Sequence, residues 1–293
     1  MVVPAIESVF RQTFTDYEII AVDDCSTDTS WDRLQGIRDA RIRAFRAERN
    51  SGASAARNLG IRQACGEWIA FLDADDQWGP RHLEVMMRCA NGHVFVAPSK
   101  LQCVPDANGL LRPLDASAKE SSDRIKVLNH SNFAEALYRE YVFTRREFVR
   151  KHDIRFLETG GRGDCGGDWM YYMSQLLIRG ADGCVTLEPT YLYRVTGYHT
   201  SSSFEAMAQQ FSMMQRLSKD EAVPPDVRGA LARSLPSVRR RFTVAALRSR
   251  NWHQFFRLLR ANPFSVVYVG FAAASHLFRR LQHSVKRWGL RSS

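Results

Sequence analysis

The chain has 293 residues, of which 45% are hydrophobic, so it can bury a sizeable core and has the length of about two domains. Its formal net charge is +10, from 41 basic and 31 acidic residues. Its six cysteines form no Cys-x-x-Cys pair and no metal-ligand spacing, which argues against a zinc site and favours reduced thiols in a cytosolic protein. The sequence contains no signal peptide, internal repeat or low-complexity tract.

Strand and helix signals alternate through the N-terminal half. Each strand signal is a short apolar run, and polar turns separate it from the helices. Ser26 or Thr27 is the expected N-cap of the first such helix, which runs through Trp31 and Leu34. The predicted order is a strand at 16–22, this helix, a strand at 42–45, a helix at 53–60 and a strand at 67–72. This order is typical of a parallel, doubly wound α/β sheet with right-handed connections.

Two of the predicted strands end in carboxylates. Asp23 and Asp24 follow the first strand, and Asp73, Asp75 and Asp76 follow the third. Asp73 and Asp75 would share one face of a continuing strand, where their mutual repulsion favours a bound cation. Hard divalent cations take carboxylate oxygens, and open α/β sheets bind ligands at the carboxyl ends of strands, so the pattern indicates a metal–phosphate site. The alternative is a solvated acidic turn that caps the next helix, which is the role we expect for Asp76.

Five short motifs together resemble the inverting, nucleotide-sugar-dependent glycosyltransferases of family 2, which have the GT-A fold. The resemblance is close in the N-terminal third and looser in the middle third. It implies an α/β GT-A domain over residues 1–203, with a mainly parallel sheet and flanking helices, and a basic helical extension over residues 204–293. The motifs are Ala5-Ile6-Glu7-Ser8-Val9 with Gln12-Thr13-Phe14, Val22-Asp23-Asp24-Cys25-Ser26-Thr27-Asp28, Asn50-Ser51-Gly52, Ala56-Arg57-Asn58 and Phe71-Leu72-Asp73-Ala74-Asp75-Asp76.

The resemblance implies roles for the acidic strand ends and for Arg57. Asp23 and Asp24 would bind the base and ribose of the nucleotide sugar, whose imide and hydroxyl groups donate to carboxylate oxygens. Arg57 would face the base or a phosphate; alternatively, it is a helix-surface arginine paired with an acid. Asp73 and Asp75 would hold Mg²⁺ or Mn²⁺ at the sugar diphosphate, where the cation neutralises charge as the sugar–phosphate bond breaks.

An inverting transferase also needs a carboxylate base, because a sugar hydroxyl is a poor nucleophile at neutral pH. The family places this base in an acidic, aromatic-rich motif at the start of a helix, and the matching residue is Asp168, immediately before Trp169. Gly167 stands where the family usually has glutamate, which is a departure. Asp164, in a glycine-rich loop, is the competing candidate, and the alternative role of Asp168 is a helix N-cap.

The predicted helix covers residues 169–179 and ends at Gly180. The segment after it contains further candidate ligand-binding residues. The family often continues with a strand and a Tyr-Arg pair trailed by His, and the matching residues here are Tyr193, Arg194 and His199. Arg194 would bind the nucleotide-sugar diphosphate, and His199 would be a metal ligand or a loop histidine without a role. Residues 99–122 are rich in turn formers and predict a long irregular loop, which would contribute to acceptor specificity.

The start of the domain departs from the family pattern. Family members begin with a hydrophobic strand ahead of the helix that contains Ile6 and Val9, whereas residues 1–4 stand almost directly before that helix. Without this strand, its neighbours in the sheet would have unpaired edges beside the nucleotide site. We expect either that the stated start is too late or that the chain is truncated.

The C-terminal part is strongly basic and has no acidic residue after Asp226. Residues 264–278 form a charge-free apolar run of fifteen residues, which is shorter than the roughly 20 residues that span a bilayer. Flanking arginines and internal aromatics favour a helix at an anionic membrane surface. The alternative is a C-terminal helix packed on the catalytic domain, and no nucleic-acid-binding module accompanies the charge.

The sequence therefore predicts a glycosyltransferase that moves a sugar from a nucleotide-diphosphate donor, expected to be a UDP-sugar, to a glycan or lipid-linked hydroxyl with inversion. A peripheral position at the cytoplasmic face of the cell membrane would suit a lipid-linked acceptor in surface polysaccharide biosynthesis. Two rivals stay open, a catalytically degenerate membrane-peripheral scaffold and a metal-dependent phosphotransferase with Asp73 as nucleophile. Metal-dependent binding of a nucleotide diphosphate would argue against the phosphotransferase, and sugar transfer would argue against the scaffold.

Overall fold

The computed structural model describes residues 2–114, 126–129, 136, 139–158, 167–186, 188–195 and 204–248. The helices are α1 (Val2–Phe10), α2 (Ser30–Gln35), α3 (Ala53–Gln63), α4 (His82–Cys89), α5 (Arg146–Lys151), α6 (Gly167–Ile178), α7 (Phe204–Leu217) and α8 (Pro225–Arg248). The strands are β1 (Ile19–Asp23), β2 (Ile42–Arg46), β3 (Trp68–Ile69), β4 (Gln77–Trp78), β5 (Phe95–Ala97), β6 (Lys100–Pro105), β7 (Leu111–Pro113), β8 (Lys126–Leu128), β9 (Phe143–Arg145), β10 (Gly183–Val185) and β11 (Tyr191–Arg194).

The first elements follow the predicted order of strand, helix, strand, helix and strand. β1 and β2 pair in parallel along their full lengths, as expected for strands joined through a helix. α3 packs closely on β1, where a Cβ built on Gly60 would lie 3.9 Å from Val22 Cγ2. The start of α3 lies beside the carboxyl end of β1, since the Gly52 backbone N–H donates to the carboxylate of Asp24.

Neither Ser26 nor Thr27 is the N-cap of α2. Thr29 occupies that position without a capping side-chain bond, and the Ser30 backbone N–H donates to Asp28 Oδ1 at 2.9 Å. The N-cap prediction is wrong because the acidic turn after β1 extends further along the chain and α2 begins only at Ser30.

The described strands form three sheets, of which β1-β2 is parallel and the other two are mixed. Their orders are β1-β2, β3-β9-β5-β10-β8 and β4-β11-β6-β7. The β1–β2, β5–β10 and β6–β11 pairs are parallel, and the others are antiparallel. α6 lies at the centre of the core, where Tyr172, Met173 and Leu176 are fully buried. The predicted α/β class is confirmed, but the expectation of a mainly parallel sheet is wrong, because five of the eight strand pairs among the described residues are antiparallel.

A β-hairpin occupies part of the segment that was predicted as an irregular loop. β6 pairs antiparallel with β7, and the carboxylate of Asp106 closes the turn by accepting the backbone N–H groups of Asn108 and Leu110. The loop prediction is wrong for this part because Asn108 and Gly109 serve one tight turn, while the flanking residues pair as strands. Residues 115–122 of the segment lie outside the described residues.

β3 is shorter than predicted, and it ends its sheet. Trp68 and Ile69 pair with β9, whereas residues 70–72 continue to the acidic cluster without strand pairing. β1 likewise has β2 on one side, and among the strands that the structure describes neither β1 nor β3 has a second neighbour.

The last described helices extend the core. α7 packs against α6 and α8, and the core cluster includes Met214 and Leu217 of α7 with Val227 and Leu231 of α8. Among the residues described, no helix has both the length and the apolar character needed to cross a bilayer. The apolar run at 264–278 lies outside the described residues, so the membrane-surface prediction and the domain boundary at residue 203 stay predictions.

Candidate active site

The three carboxylates after β3 gather into one cluster. Oxygen atoms of Asp73, Asp75 and Asp76 all lie within 4.8 Å of one another. Burial raises the pKa of Asp75, and the charge of Asp73 raises it further. Burial also raises the pKa of Asp76, to about 7. Both shifts show that the ionised cluster would be stabilised by a positive charge.

Asp76 is held by β11 and does not cap the next helix. Its carboxylate accepts the backbone N–H of Arg194 at 2.8 Å and the hydroxyl of Tyr191 at 3.0 Å. α4 begins at His82, and Arg81 stands at its N-cap without a capping side-chain bond. The expected capping role is therefore wrong, because β4 separates Asp76 from α4 and turns the carboxylate towards β11.

Arg57 of α3 connects the acidic cluster to the candidate base. Its Nη1 donates to Asp168 Oδ2 at 2.5 Å, and its Nη2 donates to Asp73 Oδ1 at 2.9 Å. The rings of Phe156 and Trp169 lie against the guanidinium, each 5.3 Å from its carbon. Burial lowers the pKa of Arg57, but the charges of Asp73 and Asp168 outweigh this and raise it above its ordinary value. The geometry matches the acid-paired alternative, except that Arg57 is buried rather than on the surface.

Asp168 stands in the first turn of α6, almost fully buried, with its side chain 4% exposed. Its Oδ1 accepts the Trp169 backbone N–H at 2.8 Å, and its Oδ2 accepts Arg57. Burial raises the pKa of Asp168, and the charge of Arg57 opposes this shift. A carboxylate with a raised pKa is a stronger proton acceptor than an ordinary aspartate.

Two tyrosines complete the wall of the cluster, and the sequence predicted a role for neither. The Tyr141 hydroxyl donates to Asp73 Oδ2 at 3.1 Å. Tyr141 stacks on Tyr191, with ring centroids 4.4 Å apart, and Tyr191 binds Asp76. Tyr141 has a φ of 58°, in the left-handed region that is uncommon for a tyrosine. No local pattern marks this residue, because its contact with Asp73 is formed only by the tertiary fold.

The predicted nucleotide side lies at the carboxyl end of β1. Asp23 Oδ2 accepts the backbone N–H of Ser26 at 3.2 Å and lies 3.2 Å from Arg46 Nε. The two oxygens of Asp24 accept the backbone N–H groups of Ser51 and Gly52 at 2.9 and 2.7 Å. Each carboxylate oxygen has a second lone pair, so both side chains can still accept a ligand hydroxyl.

Arg194 lies beside the acidic cluster, and its role at the diphosphate stays a prediction. Its Nε donates to the backbone carbonyl of Asp75 at 2.8 Å. Asp164 and His199 lie outside the described residues. The structure thus brings Arg57, Asp73, Asp75, Asp168 and Arg194 into one contact network.

The N-terminal segment is similar to a known protein family. Residues 1–103 match the model of the family described as glycosyl transferase family 2. The chain is similar to this family over these residues. This segment contains β1, α3 and the cluster after β3, which together form most of the site.

Curated relatives match the same segment. The colanic acid biosynthesis glycosyl transferase WcaA of Escherichia coli K12 is 44% identical over 91 residues, which is 30% of this chain and 32% of the relative. The glucosyltransferase WfaP of Escherichia coli, named for transfer from UDP-Glc to α-D-GlcNAc-diphosphoundecaprenol with a β-1,3 linkage, is 45% identical over 73 residues. That match covers 25% of this chain and 29% of WfaP. The matched segment thus spans about a third of the length of these relatives.

Solved structures of glycosyltransferases share the fold over most of the chain. Staphylococcus aureus TarS 1–349 in complex with UDP-GlcNAc superposes with a TM-score of 0.59 at 18% identity, covering 90% of this chain and 71% of that one. The Pyrobaculum calidifontis mannosyltransferase PcManGT, solved with GDP-Man and Mn²⁺, gives a TM-score of 0.60 at 15% identity and covers 97% of this chain and 79% of that one. These likenesses establish the GT-A fold that the resemblance implied.

The acidic cluster fits a hard divalent cation. Arg57 and Tyr141 bind both oxygens of Asp73. In contrast, no side chain in the described ranges bonds to the Asp75 carboxylate. Three carboxylates at this spacing match the oxygen ligands that Mg²⁺ and Mn²⁺ prefer. Asp75 would therefore be the best-placed direct ligand of such a cation, with Asp73 beside it.

Proposed function

We propose that the chain transfers a sugar from a UDP-sugar to a glycan or lipid-linked hydroxyl, with inversion at the transferred carbon. The observation that carries this proposal is the bridge from Arg57 to Asp168 and Asp73. The bridge connects Asp168 with the acidic cluster. Asp168 is the carboxylate suited to accept a proton, and the cluster is suited to hold a metal-bound diphosphate. A one-step displacement needs both groups around one reacting carbon.

The donor would lie along the carboxyl ends of β1 and β3. Asp23 and Asp24 would accept hydrogen bonds from the base and ribose, and Arg194 would face the diphosphate. Asp73 and Asp75 would hold Mg²⁺ or Mn²⁺, which would stabilise the negative charge of the leaving UDP. The UDP ligand of TarS and the UDP-Glc donor in the name of WfaP support uridine as the base.

Asp168 would accept the proton of the attacking hydroxyl. Its raised pKa strengthens it as a base, while Arg57 stabilises the ionised form that must be present before attack. Arg57 would act as a positioning residue that fixes the separation between Asp168 and Asp73. The β-1,3 linkage in the name of WfaP supports inversion.

The acceptor is proposed from the relatives and from the charge of the chain. WfaP is named for a diphosphoundecaprenol-linked acceptor, and WcaA for colanic acid biosynthesis. The basic, aromatic-rich C-terminal segment would hold the protein at the cytoplasmic surface of the cell membrane, where such an acceptor is presented. We therefore infer a role in surface polysaccharide biosynthesis.

The test is a transfer assay with the full chain. The protein is incubated with Mn²⁺ and each of UDP-Glc, UDP-GlcNAc and GDP-Man, with a GlcNAc-diphosphoprenol acceptor, and free nucleotide and product are measured. We expect product from one UDP-sugar and a β-linkage in its NMR spectrum. UDP binding without product or donor hydrolysis would favour the degenerate scaffold. Phosphate release from simple phosphate esters, without nucleotide binding, would favour the phosphotransferase.

A further inference from the structure

One face of the β4-β11-β6-β7 sheet is exposed near the acidic cluster. On β6, Lys100, Gln102 and Val104 are exposed, whereas Cys103, between the last two, is buried. Tyr193 of β11 pairs with Gln102 in the parallel register and is partly exposed. Because alternate residues of a strand share a face, the three exposed residues of β6 and Tyr193 form one surface, the open face.

Lys100 is held on the open face by three contacts. Its Nζ lies 2.5 Å from Glu140 Oε2, 5.2 Å from the ring centroid of Tyr141 and 5.1 Å from that of Tyr193. An ammonium group is attracted to aromatic faces, so both rings and the carboxylate fix its position. The side chains of Lys100 and Glu140 are still 34% and 21% exposed, so a ligand can reach both.

The backbone at Tyr141 is shaped to form these contacts. Glu140 and Tyr141 are consecutive residues, yet both side chains contact Lys100. Consecutive residues of an extended chain point to opposite sides, and the left-handed φ of 58° at Tyr141 breaks this alternation. Such strained conformations persist where the surrounding structure determines them, and they cluster at ligand-binding sites.

Tyr141 also connects the open face to the candidate active site. Its hydroxyl donates to Asp73 Oδ2 at 3.1 Å, while its ring contacts Lys100. The same ring lies 5.4 Å from that of Trp169, the residue that follows Asp168. A molecule on the open face is therefore separated from the acidic cluster by a single tyrosine side chain.

The open face offers the chemistry that a neutral sugar ring requires. Glu140 balances the charge of Lys100, so the pair presents no net charge to a phosphate. An ammonium group has three N–H donors and a carboxylate about four acceptor positions, so both can bind hydroxyls in addition to each other. The amide of Gln102 adds donors and an acceptor, and the ring of Tyr193 offers an apolar surface to the C–H groups of a pyranose.

The geometry points to a sugar-binding subsite on the open face, which holds the pyranose ring of the acceptor. Lys100 and Glu140 bind neighbouring hydroxyls of this ring, and Tyr193 packs against it. The subsite lies on β6 and β11, whereas the carboxylates proposed to bind the nucleotide follow β1, so the two ligands do not compete. Only the identity of this sugar as the acceptor rests on the proposed function.

The test measures sugar binding to the full chain by saturation-transfer NMR. The probes are the methyl α-glycosides of N-acetylglucosamine, glucose and galactose, each without a donor. We expect the wild type to bind at least one of them, and Lys100→Met and Tyr193→Leu to weaken that binding roughly tenfold or more, through loss of a charged hydrogen bond or of the ring.

Matched variants control this measurement. Lys151→Met, at the exposed end of α5, and Tyr193→Phe, which keeps the ring, should bind the glycoside as the wild type does. A wild type that binds none of the three glycosides would overturn the inference. Equal binding by Lys100→Met and Lys151→Met would overturn it as well.

A purely structural role of the Lys100–Glu140 pair would give a different result. Partly exposed ion pairs contribute little to stability, so the thermal midpoint of Lys100→Met should stay within about 4 °C of the wild type. Glu140→Gln keeps the size of the side chain, and this second variant should weaken sugar binding in the same way. Lower thermal midpoints with unchanged sugar affinity in both variants would reduce the pair to a structural contact and overturn the inference.

Transfer kinetics separate the subsite from the proposed function. In an active protein, Lys100→Met should raise the KM for the GlcNAc-diphosphoprenol acceptor roughly tenfold and leave the affinity for UDP with Mn²⁺ unchanged. Glycoside binding that depends on Lys100, in a protein that transfers no sugar, would retain the subsite and count against the proposed function. Transfer by the wild type with an unchanged acceptor KM in Lys100→Met would retain the proposed function and overturn the inference.

Discussion

Arg57 and Asp168 are joined across the centre of the site, although 111 residues separate them in the chain. Arg57 Nη1 lies 2.5 Å from Asp168 Oδ2, and the same guanidinium binds Asp73 through Nη2. The side chain of Arg57 is only 13% exposed, and that of Asp168 only 4%. One buried cation thus balances two carboxylates that would otherwise repel each other.

Replacing Arg57 by methionine should destabilise the fold and disturb Asp168. The change leaves two carboxylates without their buried partner, which costs roughly 3–5 kcal/mol in the free energy of unfolding. Arg57→Lys should recover part of this loss, because it restores the charge but not the two-sided geometry. Urea unfolding gives the measurement, with Arg62→Met on the exposed side of the same helix as the control. An Arg57→Met protein as stable as the control would contradict a structural role for the bridge.

Substitution of Asp168 by asparagine should abolish transfer while largely preserving donor binding. The amide keeps the shape of the side chain but cannot accept a proton, and general bases typically contribute about 10²–10⁴-fold to the rate. The wild-type activity should fall as the pH is lowered, at a pH above the ordinary aspartate range, because burial raises the pKa of Asp168. Steady-state rates and UDP titrations check both parts, with the exposed Asp153→Asn as control. Equal transfer by the Asp168→Asn variant would remove the base assignment.

The Asp75→Ala variant should lose metal-dependent donor binding. Asp75 is the best-placed ligand of the cluster, so its removal should weaken UDP binding in Mn²⁺ by roughly tenfold or more, a change of about 1.4 kcal/mol. Binding without metal should change little. Titration calorimetry with and without Mn²⁺ measures the difference, and Asp32→Ala on the exposed face of α2 is the control. If Mn²⁺ strengthens UDP binding equally in both variants, Asp75 is not a metal ligand.

Local sequence patterns predicted the residues that stand at strand ends, but not the contacts between them. Asp73 and Asp75 were identifiable because an apolar run ends in carboxylates, and Asp168 because a family motif begins a helix there. The contacts of Arg57 depend on how α3 and α6 lie next to each other in the fold, and no local sequence pattern encodes this arrangement. Tyr141 was missed for the same reason.

Errors in the predicted elements also have physical causes. The sequence does not predict the hairpin of β6 and β7, because the turn formers around Asp106 dominate the pattern of the whole segment. Asp76 was expected to cap a helix because aspartate favours that position, but hydrogen bonds from β11 hold its carboxylate instead. β3 was predicted longer because the apolar run continues to Leu72, whereas pairing with β9 covers only its first two residues.

Gly183→Ala should destabilise the central sheet. Gly183 of β10 pairs with Phe95 of β5, and a Cβ at Gly183 would collide with the backbone carbonyl and the ring of Phe95. Both strands are buried, so the backbone would have to shift, at a cost of roughly 1–3 kcal/mol. Gly36→Ala is the matched control, because Gly36 has an ordinary helical φ of −74° and a Cβ there meets no atom closer than 3.4 Å. Equal unfolding midpoints for the two variants would contradict the close contact.

Protonation of His82 should make the fold less stable in mild acid. His82 is 2% exposed, its Nδ1 lies 2.9 Å from Thr190 Oγ1, and it stacks on Trp78 at 4.6 Å. Burial lowers the pKa of His82 from 6.5 to about 3. Between these values the unfolded chain binds a proton that the folded protein does not. Stability is therefore complete above about pH 6.5 and falls as the pH decreases towards 3, by up to about 1.4 kcal/mol per pH unit.

Replacement of His82 by glutamine isolates this contribution. Glutamine keeps a polar group near Thr190 but does not titrate, so the variant should lose less stability than the wild type between pH 7 and pH 4.5. Urea unfolding at several pH values gives the slopes, with the wild type measured in parallel as the reference. Asp76 contributes with the opposite sign in every variant. Its pKa is raised to about 7 in the folded protein, so between this value and 3.8 the folded state binds a proton that the unfolded chain does not, and acidification adds stability. Identical slopes for His82→Gln and the wild type would show that His82 does not contribute to the acid sensitivity.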